Sequence, residues 1–394
     1  MVLSFICIKL EELMLFMKEL SLYIHIPFCE SKCFYCDFLS FDNKSDSIEG
    51  YINSLCAHII SSRKVLDSVQ VNTIFIGGGT PSILSAEQLK KLLYCLHENI
   101  NMNYVKEFTI ESNPNSLTLD KIKVMRDYKI DRVSIGLQAW QDELLRKLGR
   151  VHTQKDFLFA YNNLKNEGFD NINTDLMFSL PDQTLEMVEE TLYNVSTLDI
   201  KHISFYGLTL EKDTRFMELC DRGILNLPGE QLDRDMYHLV CDYLTNKGYN
   251  QYEISNYAKN GYECKHNLIY WDAKEYLGLG LGSHSYYNEE RYHNTKNIDI
   301  YNKEVFNNNI VKYNIEKIDA KAKYEEFMFL GLRKTKGISI SNFKEVFGVD
   351  IKDIYQNPIN ELIDKGLIAY QGEYIHLTKF GTDVSNKVLL EFLL

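Results

Sequence analysis

Three cysteines lie close together near the start of the chain, and their spacing is the most chemically informative feature of the sequence. Cys29, Cys33 and Cys36 form a Cys-x3-Cys-x2-Cys pattern directly after an apolar, strand-like run. Three thiolates on one short loop can bind three irons of a 4Fe–4S cluster, whereas ferredoxin clusters take four cysteines. Phe38 stands where one more cysteine would have followed. One iron then keeps an open position, which can chelate the amino and carboxylate groups of an amino acid.

Zinc ligation and core packing are the two alternative interpretations of these cysteines. Structural zinc sites usually pair a Cys-x2-Cys element with a second cysteine or histidine pair. The other cysteines of this chain are scattered singly, which is typical of buried thiols. An odd total of nine also suits a reducing compartment. The pattern therefore predicts an iron–sulfur cluster in a cytoplasmic protein.

Composition and charge exclude several classes of protein. A hydrophobic content of 45% and a charged content of 25% are typical of a soluble globular chain, and 394 residues allow two or three domains. The formal net charge of −12 and the absence of a long Lys/Arg run argue against nucleic-acid binding.

The first residues, Met1 to Phe16, are apolar but interrupted by charged side chains, and the segment is too short and too charged to span a bilayer. No small-residue cleavage site follows it. We expect residues 1–20 to be an N-terminal extension. Translation starts at Met17 in this hypothesis; a short amphipathic helix is the alternative.

Short β-branched runs alternate with helical patterns through the first 250 residues, which predicts βα units around a parallel sheet. The candidate strands are Leu22–Ile26, Thr73–Ile76, Phe108–Ile110, Arg132–Ile135, Ile172–Leu176 and Ile203–Tyr206. The candidate helices are Ile48–Lys64, Ser85–Asn99, Thr118–Asp127, Gln154–Asn166 and Thr184–Thr197. Six successive units favour a partial barrel or an open, doubly wound sheet.

Polar or glycine-rich residues occur at the end of every candidate strand after the first. They are Gly77-Gly78-Gly79-Thr80-Pro81, Glu111, Gly136-Leu137-Gln138, Asp175, Thr209 and Glu211. Active sites of βα barrels assemble at the carboxyl ends of the strands, so we expect these groups to converge with the cysteine loop on one rim. Glycines let the backbone approach a ligand closely, but a glycine run after a strand also forms ordinary tight turns. The acidic and amide side chains have the alternative role of capping groups.

Several longer stretches share the pattern of one family. They are Tyr23-Ile24-His25-Ile26-Pro27-Phe28-Cys29, Gly77-Gly78-Gly79-Thr80-Pro81-Ser82, Ser134-Ile135-Gly136-Leu137-Gln138, Leu148-Gly149-Arg150-x-His152 and Asn173-Thr174-Asp175-Leu176-Met177. Together they resemble the oxygen-independent coproporphyrinogen dehydrogenase group of radical S-adenosylmethionine enzymes. The resemblance extends from Ser21 to the C-terminus.

This resemblance implies an α/β fold, a partial (β/α)6 TIM-type barrel, with a 4Fe–4S cluster bound by Cys29, Cys33 and Cys36. It further implies that S-adenosylmethionine binds the open iron. The implied contacts of that cofactor are Tyr23, Gly78, Gly79, Thr80, Glu111, Gln138, Arg150, Asp175 and Thr209. His25 and His152 are expected to order the site without acting as ligands.

Two features resemble the heme-chaperone branch of this group more than its dehydrogenase branch. Phe38 stands where dehydrogenases carry a further cysteine, two residues after the third cluster cysteine. The stretch from His266 to Trp271 matches a His-Asn-x-x-Tyr-Trp element of the chaperone branch, whose histidine is implicated in heme ligation. The resemblance therefore implies that His266 is an axial heme ligand, a role that imidazole fills in many proteins. Otherwise a lone histidine here is commonly a hydrogen-bonded structural residue, and Cys264 is an alternative ligand.

The resemblance predicts a cytoplasmic heme chaperone that binds heme, a 4Fe–4S cluster and S-adenosylmethionine and delivers heme to respiratory hemoproteins. It allows a homodimer and peripheral contact with a membrane, and no nucleic acid is expected. The enzymatic alternative is an oxygen-independent coproporphyrinogen III dehydrogenase, which forms protoporphyrinogen IX. A plain iron–sulfur electron carrier is a third class, but such a carrier does not need the polar rim.

The expected domains are a radical S-adenosylmethionine core at 21–250, a heme-binding and connecting region at 251–300 and an accessory domain at 301–394. In the last region, helical patterns precede a short hairpin around Gly372, an order typical of winged-helix domains. The predicted helices are Glu325–Leu332, Ser341–Phe347 and Ile359–Lys365, and the hairpin strands are Ile368–Tyr370 and Tyr374–Leu377. We expect this domain to cover the active site or to dock a partner.

Overall fold

The computed structural model describes residues 17–394, and its centre is a sheet of six parallel strands connected by helices. The strands are β1 (Lys18–Ile26), β2 (Val69–Gly78), β3 (Glu107–Ser112), β4 (Arg132–Gln138), β5 (Asn171–Phe178) and β6 (His202–Gly207). The helices are α1 (Ile48–Ser61), α2 (Arg63–Leu66), α3 (Ala86–Asn99), α4 (Leu119–Asp127), α5 (Asp142–Lys147), α6 (Gln154–Asn166), α7 (Leu185–Ser196), α8 (Arg215–Asp221) and α9 (Glu230–Asn246). The predicted α/β barrel architecture is confirmed, while the expectations for Met1–Phe16 lie outside the described residues.

Each of the six strands alternates between an apolar and a polar face. In β1, Leu22 and Ile24 are fully buried in the main hydrophobic core, whereas the Ser21 hydroxyl on the other face accepts a hydrogen bond from the Thr73 hydroxyl of β2 at 2.8 Å. Because successive side chains of a strand point to opposite faces, the apolar side packs against the helices and the polar side faces the interior. The interior of this barrel is therefore lined by hydroxyl, amide, imidazole and charged groups rather than by aliphatic layers.

Further strands extend the sheet beyond both edges of the parallel core. Two antiparallel strands, β7 (Asn250–Glu253) and β8 (Asn256–Ala258), follow β6. On the other edge, β9 (Tyr276–Leu279) pairs in parallel with β1 and is followed by β10 (His284–Tyr287), β11 (Glu290–His293) and β12 (Tyr313–Lys317). The strand order is β12-β11-β10-β9-β1-β2-β3-β4-β5-β6-β8-β7. Two helices lie in this part of the chain, α10 (Lys265–Trp271) and α11 (Ile298–Phe306).

The C-terminal part forms a second hydrophobic core of helices and a small sheet. Its helices are α12 (Ala320–Gly331), α13 (Ile340–Phe347), α14 (Ile351–Asp364), α15 (Lys379–Asp383) and α16 (Ser385–Leu390). Its strands are β13 (Ile338–Ser339), β14 (Ile368–Gln371) and β15 (Tyr374–Leu377), in the order β13-β15-β14. The predicted helices and hairpin are confirmed. The expected boundary at residue 301 falls inside α11, whose buried side chains belong to the first core.

Helix α12 connects the two opposite edges of the large sheet. Near one edge, Arg291 of β11 forms two ion-pair hydrogen bonds with Glu326 of α12, at 2.6 and 3.1 Å. At the other edge, the N–H of Ile254, next to β7, donates to the carbonyl of Arg333 directly after α12, at 3.2 Å. Since β7 is one end of the strand order and β11 lies next to the other end, α12 and the residues after it link the two sides of the large sheet.

Among the helices of residues 17–394, none combines the length and the apolar character that crossing a membrane requires.

Candidate functional site

A cavity of about 490 Å³ lies where the carboxyl ends of the six parallel strands meet the cysteine loop. Its volume lies within the range of small-molecule sites, roughly 300–1,000 Å³. The predicted residues that line it are Cys29, Cys33, Cys36, Gly78, Gly79, Thr80, Glu111, Gln138, Arg150, Asp175 and Thr209. Tyr23 and His266 do not line it. All lining residues lie between Cys29 and Glu211, so none of them comes from the C-terminal domain.

The cysteine loop is held in place by backbone hydrogen bonds at its ends and at its centre. The Cys29 N–H donates to the Phe41 carbonyl and the Phe41 N–H donates to the Pro27 carbonyl, both at 2.9 Å, which ties the two ends together. In the middle, the Phe34 N–H donates to the carbonyl of Leu148 at 3.0 Å. These bonds fix the loop against the first strand end and against the segment after α5, so the three thiols face one cavity.

The three thiols fit a cluster better than a single metal ion. In residues 17–394, no three His, Cys, Asp or Glu side chains converge on one ion position. A cluster does not require such convergence, because each cysteine binds a different iron. Burial raises the pKa of Cys29, and it raises the pKa of Cys36 to about 11. Thiolates at these two positions are therefore unfavourable without a cation, and cluster iron supplies that positive charge.

Two neighbouring side chains donate hydrogen bonds to the cysteine sulfurs. The Thr80 hydroxyl lies 3.6 Å from the Sγ of Cys29, and Nη1 of Arg150 lies 3.4 Å from the Sγ of Cys33. Hydrogen bonds to ligand sulfur stabilise the thiolate form and tune the bound metal. The residues present therefore suit a 4Fe–4S cluster.

The glycine run is required by the packing of the protein itself. A Cβ at Gly79 would lie 2.6 Å from the carbonyl oxygen of Phe28, and one at Gly77 would lie 2.7 Å from a carboxyl oxygen of Glu111. Gly78 has a φ of +115°, and its Cβ would fall 2.4 Å from the His25 ring. The glycines thus let the cysteine loop and the third strand approach the end of β2, which closes one wall of the cavity.

Two carboxyl groups face the cavity, and their surroundings differ. Glu111 accepts the N–H of Gly78 at 3.1 Å, but burial, and then the charge of Asp175, raise its pKa to about 8. Asp175 is held by the Ser134 hydroxyl at 2.9 Å and the Asn173 amide at 2.8 Å. A cationic ligand such as an ammonium group would stabilise the ionised form of Glu111.

Arg150 joins three walls of the cavity. Its Nη2 donates to the carbonyl of Gly136 and to Oδ1 of Asn113, both at 2.7 Å, in addition to the bond from Nη1 to the Cys33 sulfur. Nearby sulfurs raise the pKa of Arg150 despite its burial. The guanidinium is therefore a fixed positive charge beside the cysteine loop, since its planar fork reaches several acceptors at once.

Gln138 has a left-handed backbone with a φ of +69° at the end of β4 and is 9% exposed. Non-glycine residues adopt this conformation rarely, and functional sites are where it tends to be retained.

Four further residues line the cavity but were not predicted from the sequence: Tyr35, Asn113, Met177 and Tyr206. Asn113, Met177 and Tyr206 were recognisable as residues at strand ends, while Tyr35 carries no such signal.

His266 lies inside the barrel rather than at the cavity. It is 1% exposed, stacked on Phe75 with 5.1 Å between ring centroids. Its Nδ1 bonds to the Thr73 hydroxyl at 2.8 Å and its Nε2 to the Tyr270 hydroxyl at 3.0 Å. Burial lowers the pKa of His266 to about 3, so the ring is neutral, but both nitrogens are engaged in this conformation.

Tyr23 lies on the first strand beneath the cysteine loop. Its hydroxyl is 3.0 Å from Nδ1 of His25, whose Nε2 is 2.9 Å from the Leu39 carbonyl. Burial lowers the pKa of His25 to about 4, so the imidazole is neutral and links the Tyr23 hydroxyl to the Leu39 carbonyl. Tyr23 therefore orders the return of the loop in this structure.

Comparisons with known proteins agree with this architecture. A family model described as the Radical SAM superfamily matches residues 23–193, and the HemN C-terminal domain model matches residues 318–384. The solved structure titled "Coproporphyrinogen III oxidase (HemN) from Escherichia coli is a Radical SAM enzyme" superposes with a TM-score of 0.83 and 21% identity, covering 96% of this chain and 90% of that one. Fold and site thus define a radical S-adenosylmethionine protein, whose cofactors are a 4Fe–4S cluster and S-adenosylmethionine.

Sequence relatives give the family. The heme chaperone HemW of Lactococcus lactis subsp. lactis (strain IL1403) is 40% identical over 96% of this chain and 98% of the relative. The heme chaperone HemW of Bacillus subtilis (strain 168) is 38% identical over 95% and 99%, respectively. The chain belongs to the HemW family.

Proposed function

We propose that this protein is a heme chaperone that binds heme, a 4Fe–4S cluster and S-adenosylmethionine and delivers heme to respiratory hemoproteins. The observation that carries the proposal is the cavity that joins three thiols to the polar ends of the strands. Cys29, Cys33 and Cys36 would hold the cluster. S-adenosylmethionine would lie along the glycine wall and the carboxyl groups, and it supplies redox and group-transfer chemistry when bound.

The chemistry of the cavity walls supports these ligand assignments. Backbone groups at Gly78 and Gly79 and the Glu111 carboxyl suit the amino and carboxylate ends of an amino acid, and Asp175 and Gln138 suit hydroxyl groups. The same cavity would also suit a dehydrogenase, so it does not by itself select the heme function. The preference for a chaperone comes from full-length similarity to relatives named heme chaperone and from Phe38, a phenylalanine at the cavity that is 65% exposed.

Heme ligation by His266 requires α10 to move. The neutral imidazole needs no proton loss before it binds iron, but the hydrogen bond at the coordinating nitrogen must first break. One such bond contributes about 0.5–1.5 kcal/mol, so breaking it opposes heme binding by that amount, aside from the lost burial of the ring. In this proposal, heme binds a minor, opened conformation, and the closed conformation is the heme-free one.

The deciding experiment combines a heme titration with a test for enzyme activity. The cluster-loaded protein is titrated with ferric heme, and in parallel it is incubated without oxygen with coproporphyrinogen III, S-adenosylmethionine and a reductant. A heme complex whose spectrum changes in His266→Ala, together with no protoporphyrinogen IX, is the expected result. Formation of protoporphyrinogen IX would instead assign the chain to the dehydrogenase class.

The proposal also includes a cytoplasmic location with peripheral membrane contact, and a homodimer. The net charge of −12 disfavours attraction to anionic lipid, so the proposed membrane contact would be made through a protein acceptor. Sedimentation of the cluster-loaded protein, with and without heme, measures the oligomeric state directly.

A further inference from the structure

A continuous chain of buried and partly buried hydrogen bonds crosses the barrel from the cavity to the start of α10. At the cavity end, the Asn173 amide nitrogen lies 2.8 Å from Oδ1 of Asp175. The Asn173 oxygen lies 2.6 Å from Nδ1 of His202, whose Nε2 lies 2.8 Å from the hydroxyl of Tyr252. That hydroxyl lies 3.3 Å from the backbone nitrogen of Cys264, the residue that precedes α10.

The direction of every bond in this chain follows from its partners. Cys264 offers an N–H, so the Tyr252 oxygen accepts it and the Tyr252 hydroxyl proton points to Nε2 of His202. The Asn173 amide group donates to Asp175, so its oxygen accepts the proton on Nδ1 of His202. All donors therefore point toward the Asp175 carboxylate, and bonds aligned in this way polarise and strengthen one another.

Burial and neighbouring charged groups keep this hydrogen-bond chain intact. His202 and Asn173 are 0% and 1% exposed, and burial, together with the charge of Arg132, holds the pKa of His202 well below its ordinary range. The imidazole thus stays neutral with one donor and one acceptor, as the chain requires. The other end is secured by Glu107, whose carboxylate accepts the N–H groups of Lys265 and His266 at 2.8 and 3.1 Å.

We propose that Asn173, His202 and Tyr252 are positioning residues that couple occupancy of the cavity at Asp175 to the attachment of α10. A ligand hydroxyl that donates to Asp175 competes for its oxygens and weakens the bond from Asn173. The weakening propagates along the aligned bonds to the Cys264 N–H, and the start of α10 becomes easier to release. The inference rests on the proposed function in one respect, since α10 carries His266 and its release would expose the proposed heme ligand.

Hydrogen exchange of residues 264–271 tests the coupling without using heme. The cluster-loaded full chain is compared with and without S-adenosylmethionine by mass spectrometry of exchanged peptides. We expect the cofactor to speed exchange in this segment by about fivefold or more, the lower end of ordinary allosteric couplings. Tyr252→Phe removes the hydroxyl that joins His202 to Cys264 and should abolish this effect.

Matched variants separate coupling from general structure. Tyr249→Phe also removes one buried phenol hydroxyl, which donates to the Ile200 carbonyl at 2.6 Å outside the chain, and it should keep the cofactor effect. His202→Phe should lose the cofactor effect on exchange, whereas His202→Gln, which retains an amide donor and acceptor, should keep part of it. This pair of variants also tests the coupling if Tyr252→Phe fails to fold.

The outcomes distinguish the coupling from the proposed function. If S-adenosylmethionine binds the wild-type protein but leaves the hydrogen exchange of residues 264–271 unaltered or slows it, the coupling is wrong while the cofactor site stands. If S-adenosylmethionine still speeds exchange in Tyr252→Phe, the proposed role of the hydrogen-bond chain is likewise wrong. If S-adenosylmethionine does not bind at all, the proposed cofactor site fails, and the coupling fails with it. If the cofactor effect follows the predicted variants but heme does not bind, the coupling stands and the heme function is wrong.

Discussion

Replacing Gly79 with alanine isolates the steric role of the glycine run. Gly79 donates its N–H to the Ile26 carbonyl at 2.8 Å, and its neighbour Thr80 donates to the Phe28 carbonyl at the same distance. The φ of Gly79 is not in the left-handed region, so alanine adds no backbone strain there. The effect of the substitution is therefore the volume of one methyl group placed against the start of the cysteine loop.

The magnitude follows from the atoms that the methyl group would meet. Its carbon would lie 2.6 Å from the oxygen and 2.9 Å from the nitrogen of Phe28, well short of the 3.4 Å of an ordinary contact. Both atoms belong to the backbone, so they cannot rotate away and the loop must shift as a whole. Overpacking of this kind destabilises proteins by about 1–3 kcal/mol, and here the shift also moves Cys29, the next residue.

Two measurements on the reconstituted protein test these consequences: urea unfolding measures the stability, and iron and sulfide analysis measures the cluster content. Gly79→Ala should lower the free energy of unfolding by about 1–3 kcal/mol and reduce the bound iron and sulfide. Gly50→Ala is the matched control, because its Cβ meets nothing within 4 Å and alanine raises helix stability by roughly 0.5–1 kcal/mol. Unchanged stability and cluster content in Gly79→Ala would refute the steric reasoning.

Three further predictions concern the same region. Because the pKa of folded Glu111 is about 8, above its ordinary value of 4.5, the cofactor-free protein should lose stability as pH rises between these values. The unfolding free energy should fall with pH by at most about 1.4 kcal/mol per pH unit, and water in the cavity reduces this slope. Urea unfolding at several pH values measures the slope, and Glu111→Gln should flatten it. Arg150→Lys should lower the unfolding free energy by about 1.5–3 kcal/mol and weaken cluster retention, since one ammonium nitrogen cannot replace both Nη2, which serves Gly136 and Asn113, and Nη1, which bonds to the Cys33 sulfur; full retention would contradict this. Ser85→Ala removes a complete capping box and should destabilise by about 1 kcal/mol without altering the cluster, and a loss of iron would be unexpected.

Elements with local signals were predictable from the sequence. The strands appeared as short β-branched runs because parallel strands are buried on the helix-facing side, and the Ser85–Gln88 capping box fixed the start of α3. The convergence of Glu111, Gln138 and Asp175 followed from the rule that strand ends meet at one rim.

Features that depend on non-local packing were not predictable in this way. The hydrogen-bond chain from Asp175 to Cys264 joins β5, β6, β7 and the start of α10, which only the fold brings together. The same holds for α12, which is joined to β11 by its ion pair with Arg291 and lies next to residues that bond to the β7 side of the sheet. The engaged state of His266 also required the structure, because its partner Thr73 is on another strand.

Heme transfer to a respiratory acceptor tests the central proposal most directly. The heme-loaded protein is mixed with membranes from heme-deficient cells, and the appearance of heme in the respiratory oxidase is followed by its absorbance and by oxygen consumption. The account predicts faster recovery than an equal amount of free heme gives, with the advantage lost in His266→Ala. Recovery no faster than with free heme would contradict a chaperone function.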